Sequence, residues 1–171
     1  MPAEPMSDIA SPPPGRYVLD LEGSTVAFTT THLFGLHRVR GTFTASGGTA
    51  VVADPVERST VEVVIDAASF RTPTPMRDQV VRSPMYLDTD RHPTITFTST
   101  RWDGRVLTGD LTVREVTSPV DLTVTESSVD ADSFTARATA RVDRIALGVT
   151  ATRGMTGRYL DFDLTARFVR E

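Results

Sequence analysis

Three histidines, His32, His37 and His92, and one charged pair set apart from any strand pattern, Arg77-Asp78, are the residues of this sequence best suited by type to proton transfer or head-group recognition. Their spacing does not favour a metal. His32 and His37 have opposite strand parity, and the chain carries neither an H-E-x-x-H nor a His-x-His pair. A G-x-S-x-G elbow, a phosphate-binding P-loop and a G-x-G-x-x-G turn are absent as well, so any nucleophile would be an ordinary serine or threonine on a strand. Cysteine is missing, which removes disulfides, thiolate catalysis and cysteine-ligated metals together. Two structural roles compete with chemistry: His32 hydrogen-bonded inside a barrel mouth, and Arg77-Asp78 tying a helix start to the sheet. The functional alternative puts His32, Arg77 and Asp78 at the rim of an opening, meeting a polar or anionic head group.

The elements that would position these groups are almost all strands. Apolar and polar residues alternate through Tyr17–Leu21, Ser24–His32, Val39–Ala45, Arg58–Asp66, Pro93–Trp102, Thr117–Glu126, Phe134–Asp143 and Arg158–Val169, with a partner strand carrying Leu107, Leu111 and Val113. Eight or nine strands result. Ser46-Gly47-Gly48 reads as a bend, and Asp103-Gly104 as a two-residue type I′ hairpin turn. Clean alternation means one buried and one wet face, hence an antiparallel sheet folded onto itself or a second sheet; a closed barrel also removes exposed edges.

One stretch, Pro73 to Phe97, stops alternating. Pro73 and Pro75 exclude a central strand, while Met76, Val80 and Val81 follow a helical period. Ser83-Pro84 then suggests an N-cap and first residue of a further helical turn. The segment at about 75–88 therefore reads as a short helix and turn laid over a sheet or a barrel mouth. An eight-stranded barrel either fills itself or holds one slender ligand. Ala136, Ala138 and Ala140 leave room on an inward face; Met76, Val80 or Met85 could fill it, and the residues alone leave both readings open.

The 171 residues fit one domain, and no apolar run approaches the ~20 residues of a membrane-spanning helix. A net charge of −4 lacks the basic bias of a nucleic-acid binder. All 18 basic residues are arginine, a bias that reads as genomic. Residues 1–15, rich in proline and without a basic or apolar leader pattern, are expected to be a loose extended tail ahead of a barrel domain over 16–171, in a cytoplasmic protein.

Ordered blocks run through most of the chain: STVAFTTTHLFG at Ser24–Gly35, VRGTF at Val39–Phe43, STVEVVIDAAS at Ser59–Ser69, RD at Arg77-Asp78, RSPMYLD at Arg82–Asp88, HPTITFTST at His92–Thr100, GDLTVR at Gly109–Arg114, VTSPVDL at Val116–Leu122 and DRIALG at Asp143–Gly148. In order and spacing they resemble the YceI-like family of polyisoprenoid-binding proteins. The resemblance implies an all-β, lipocalin-like, extended eight-stranded antiparallel barrel with a helical segment at one end. It further implies a homodimer and an apolar tunnel for an isoprenoid or fatty-acyl-type chain. The sequence departs from the family pattern at Val80, where the family usually has histidine after R-D-x, and at Glu115, where it usually has glycine.

A site for such a chain needs no directed chemistry, because each buried CH₂ contributes ~0.8 kcal/mol and a five-carbon isoprene unit roughly 3–4 kcal/mol before ordering costs. The expected lining is Phe28, Phe43, Val63, Ile65, Phe97, Leu111, Leu122, Val124, Phe134, Ala136, Ala138, Leu160 and Phe162, with Met76, Val80 and Met85 near the opening and His32, Arg77 and Asp78 at the rim. This predicts a non-enzymatic lipid binder with no cofactor or metal, no nucleic-acid partner and transient membrane contact. The alternatives are an enzyme acting on a lipid-like substrate through His32, Asp78 and Arg77, or a filled barrel serving as an interaction module.

Overall fold

The β-code folds as an antiparallel sheet that closes on itself. A computed structural model describes residues 9–32, 36–151 and 157–171, with the side chain of His32 outside that description. In chain order the strands are β1 (Gly15–Leu19), β2 (Thr25–His32), β3 (His37–Val52), β4 (Thr60–Arg71), β5 (Thr94–Trp102), β6 (Val106–Val113), β7 (Val116–Val129), β8 (Ser133–Asp143) and β9 (Tyr159–Arg170), with helix α1 (Pro75–Arg82) between β4 and β5. Both β1 and β2 pair with β3 on one side and β9 on the other, so they form one broken strand of an eight-stranded barrel. At the break, side chains replace ladder bonds. The Ser24 hydroxyl donates to the Asp20 carbonyl (2.7 Å) and accepts from the Arg167 amide (3.0 Å), and the Arg167 guanidinium holds the Asp20 carboxylate (2.7 Å).

Two turn expectations are corrected. Ser46-Gly47-Gly48 does not end a strand: β3 continues through it, and the register against β4 slips between Ala45 and Gly47. A bulge absorbs one extra residue while the strand coils around the barrel. Asp103-Gly104 is not a two-residue type I′ turn but the start of the three-residue loop Asp103–Arg105, with positive φ at Gly104 (99°). The Asp103 carboxylate accepts from the amides of Arg105 (2.9 Å) and Val106 (2.7 Å), satisfying the loop without a left-handed aspartate. The tight two-residue connection is Arg114-Glu115, between the paired residues Val113 and Val116, and the left-handed residue is Arg114 (φ 57°).

Two aromatic clusters occupy the barrel. Near α1, Phe28, Phe43 and Phe70 pack against one another at centroid distances of 5.4–5.7 Å, joined by Tyr86, Leu87, Ile95, Val113, Leu147 and Val149. At the opposite end Phe134 stacks on Phe168 (5.2 Å) and meets Tyr17 edge-on (5.0 Å), with Leu19, Ala50 and Val52 around them.

Candidate functional site

Between these clusters the barrel is not filled. A cavity of about 780 Å³, lined mainly by apolar side chains, runs through it, within the range of small-molecule sites. Its signature is visible along β9. The outward Tyr159, Asp161 and Asp163 are exposed, but the inward Leu160, Phe162, Leu164 and Ala166 are only half-buried, because they face open space rather than packed neighbours. Ala136, Ala138 and Ala140 line the same space from β8. The question left open by the alanines is thus decided for an unfilled interior, and the filled-barrel alternative is set aside.

All of the expected lining residues except Met85 face this cavity: Phe28, Phe43, Val63, Ile65, Phe97, Leu111, Leu122, Val124, Phe134, Ala136, Ala138, Leu160 and Phe162 from the strands, and Met76 and Val80 from α1. Met85 points to solvent (58% exposed) because the chain after α1 turns inward on Tyr86 and Leu87 instead. Met76 and Val80 border the opening while remaining exposed, at 79% and 48%. The helix covers the core with Val81 rather than with its methionine.

The rim residues separate. Arg77 lines the opening, half-buried. Asp78 does not: it is 4% exposed, and its carboxylate accepts from the Thr72 amide (3.0 and 3.1 Å) and hydroxyl (2.6 Å). This carboxylate, in the first turn of α1, fastens the helix to the end of β4. The side chain of His32 lies outside the described residues, so the acid–base trio is not assembled from the groups that are described. Ser83 ends α1 and starts the turn that follows: its amide donates to the Val80 carbonyl (3.1 Å), and its own carbonyl accepts from the amides of Tyr86 (3.0 Å) and Asp88 (2.9 Å).

Two arginines bind backbone carbonyls at the α1 end. Arg82 donates to the Phe70 carbonyl (2.6 Å). Arg144, 6% exposed, donates from Nε to the Gly157 carbonyl (2.8 Å) and from Nη1 to the Val149 (2.7 Å) and Ala151 (2.9 Å) carbonyls, gathering these three residues between β8 and β9 around one side chain. Asp143 beside it takes Arg158 (2.8 Å), and that guanidinium holds its carboxyl below the usual carboxylate range. Arg144 belongs to the quoted block DRIALG, yet nothing in its spacing announces a buried structural cation.

Sequence reasoning missed Phe70, Leu147 and Val149, which line the α1 end. Phe70 escaped because the β3–β4 register jumps between Thr42 and Thr44, reversing the strand parity a reader would extrapolate. The other omission is the N-terminal segment. Ile9, Ala10, Ser11 and Pro12 line the cavity at the end opposite α1. The Ser127 hydroxyl donates to the Ala10 carbonyl (2.8 Å), the Tyr17 hydroxyl to the Pro13 carbonyl (2.8 Å) and Arg170 to the Pro14 carbonyl (3.0 Å). From Ile9 onward the expected loose tail is held against the barrel, and Gly15 already belongs to β1.

Fold and cavity together define a closed antiparallel barrel built around an apolar space that opens beside α1. Residues 17–168 match the model of the YceI-like domain, and the chain belongs to that family. Among curated relatives it is 34% identical over 114 residues to a UPF0312 protein of Vibrio vulnificus, covering 62% of this chain and 60% of that one. It is 39% identical over 113 residues to the protein YceI of Escherichia coli O157:H7, covering 62% and 59%. The matched region spans about three-fifths of these relatives' length. Burkholderia cenocepacia BcnA shares the fold at a TM-score of 0.74 and 19% identity, over 87% of this chain and 98% of that one. A polyisoprenoid-binding domain from Saccharophagus degradans does so at 0.72 and 15%, over 91% and 98%.

Proposed function

We propose that this protein binds, stores or carries a long-chain isoprenoid, of polyprenyl or isoprenoid-quinone type, or a comparable apolar lipid, without performing chemistry on it. The observation that carries the reading is the 780 Å³ cavity with its nearly continuous apolar lining. Burial of a few isoprene units there supplies enough free energy for tight binding with no directed polar contact. The name of the Saccharophagus domain supports the isoprenoid class. The engagement of Asp78 with Thr72 speaks against the acid–base alternative.

Exposed Met76 and Val80 at the opening, with Met85 and Leu36 (81% exposed) at the same end of the barrel, fit transient contact with a membrane that donates or accepts the lipid. A homodimer and a cytoplasmic location complete the reading. Size-exclusion chromatography with light scattering tests the first, and fractionation of the native host tests the second. The central test is mass spectrometry of an organic extract from purified protein. A stoichiometric apolar chain is expected; its absence, with no uptake of added polyprenol, would overturn the proposal.

A further inference from the structure

The two ends of the barrel are bordered by different kinds of chain. At the α1 end the cover is a helix and loops. At the other end Ile9–Pro12 lines the cavity, with Ile9 and Pro12 half-buried against it. This segment belongs to no strand. Pro12-Pro13-Pro14 have no amide hydrogens to donate, so the segment is held through its carbonyls. Ser127, Tyr17 and Arg170, on β7, β1 and β9, each donate to one of those carbonyls. Ser127 can do so because the β7 register slips between Val124 and Glu126, placing its small polar side chain on the inward face next to Ala136. A cavity-facing hydroxyl in a mainly apolar lining therefore has a specific partner, the Ala10 carbonyl.

Resting on the lipid-binding reading above, we propose that Ile9–Pro12 is the floor of the cavity and sets the length of chain the barrel accepts. A ligand entering past α1 extends until it meets Ile9. Longer chains would have to displace the segment, breaking the Ser127 bond first and leaving the Tyr17 and Arg170 anchors in place. Within the permitted length, each further methylene raises affinity by roughly four-fold; beyond it the gain stops.

The test displaces the apolar dye N-phenylnaphthylamine from the full chain with straight-chain alcohols of increasing length. It then repeats the series on a variant lacking residues 1–12, which keeps Pro13 and Pro14, and on full-length Ile9→Phe. The full chain should show a length at which affinity stops rising. The truncation should move this plateau to longer alcohols and speed dye release several-fold, whereas Ile9→Phe should move it to shorter ones. An identical plateau in all three proteins, each binding dye, overturns the floor. Failure of every protein to bind dye or alcohol overturns the lipid-binding reading itself, and the length-setting role with it. Should the truncation not fold, Ile9→Phe alone decides, since a floor at Ile9 cannot be enlarged without shortening the plateau.

Discussion

The two ends of the barrel bury similar aromatic clusters but are held by different interactions. At the α1 end, charged side chains satisfy backbone atoms of loops and of the end of β4: Asp78 takes the Thr72 amide, Arg82 the Phe70 carbonyl, and Arg144 the carbonyls of Gly157, Val149 and Ala151. At the other end the Ile9–Pro14 segment is held by single side-chain bonds from Ser127, Tyr17 and Arg170. The contrast follows from what each end covers. A loop brought over an apolar cavity leaves peptide groups that water cannot reach, and only fixed internal partners can satisfy them. An extended segment at the margin keeps much of its backbone in water and needs fewer.

The largest expected effect removes the strongest member of the stiff end. Arg144→Met keeps the length of the side chain but strands three carbonyls, at a cost of about 3 kcal/mol or more. Urea unfolding should show the loss, with the cavity ligand released as the β8–β9 connection loosens. Asp78→Ala should follow at ~2 kcal/mol, since a buried amide and hydroxyl lose their acceptor. Equal sensitivity at the two ends would break the comparison.

Ala138→Phe addresses the space between the ends. It should leave the unfolding midpoint nearly unchanged, because the ring enters an existing cavity. Displacing even two methylenes of ligand costs ~1.6 kcal/mol, more than ten-fold in affinity, readable by dye displacement.

Acid titration adds a smaller effect. Arg158 beside Asp143, Arg167 beside Asp20 and Arg141 beside Asp161 hold these carboxyls below the ordinary carboxylate range. Each folded-state value lies below its unfolded one, so the stabilisation is fully present above the ordinary carboxylate range and is lost as pH falls through the lowered values. Asp143→Asn should therefore flatten the acid limb of the stability profile while leaving its slope at neutral pH unchanged. Smallest of all, Ser127→Ala should cost under ~1 kcal/mol, one neutral hydrogen bond at the yielding end.

Much of the strand pattern was legible because a half-buried strand writes its two faces into alternate residues, and β9 carries this in Leu160, Phe162, Leu164 and Ala166 against Asp161 and Asp163. The same rule placed thirteen strand residues on the cavity, since inward residues line it whether or not they touch one another. It failed where a bulge changed parity, as at Phe70, and where residues outside any period were used, as at Arg144 and Ile9. Met85 shows the complementary error, whereas Asp78 takes the helix-anchoring role weighed against the rim: a helical segment of mixed polarity has several faces that could turn inward, and its anchors choose among them.

The amino-acid sequence by itself determined antiparallel strands with one buried face, a short helical interruption and an inward face with small residues at Ala136, Ala138 and Ala140. These are properties of local periodicity and side-chain volume. Only the tertiary structure decided that the sheet closes into a barrel, that its interior stays open, that Asp78 and Arg144 bind backbone groups, and that Ile9–Pro12 lines the far end of the cavity. Each of those depends on which distant atoms meet, and no local pattern encodes the partner of a carbonyl more than a hundred residues away, such as that of Ala10 on Ser127.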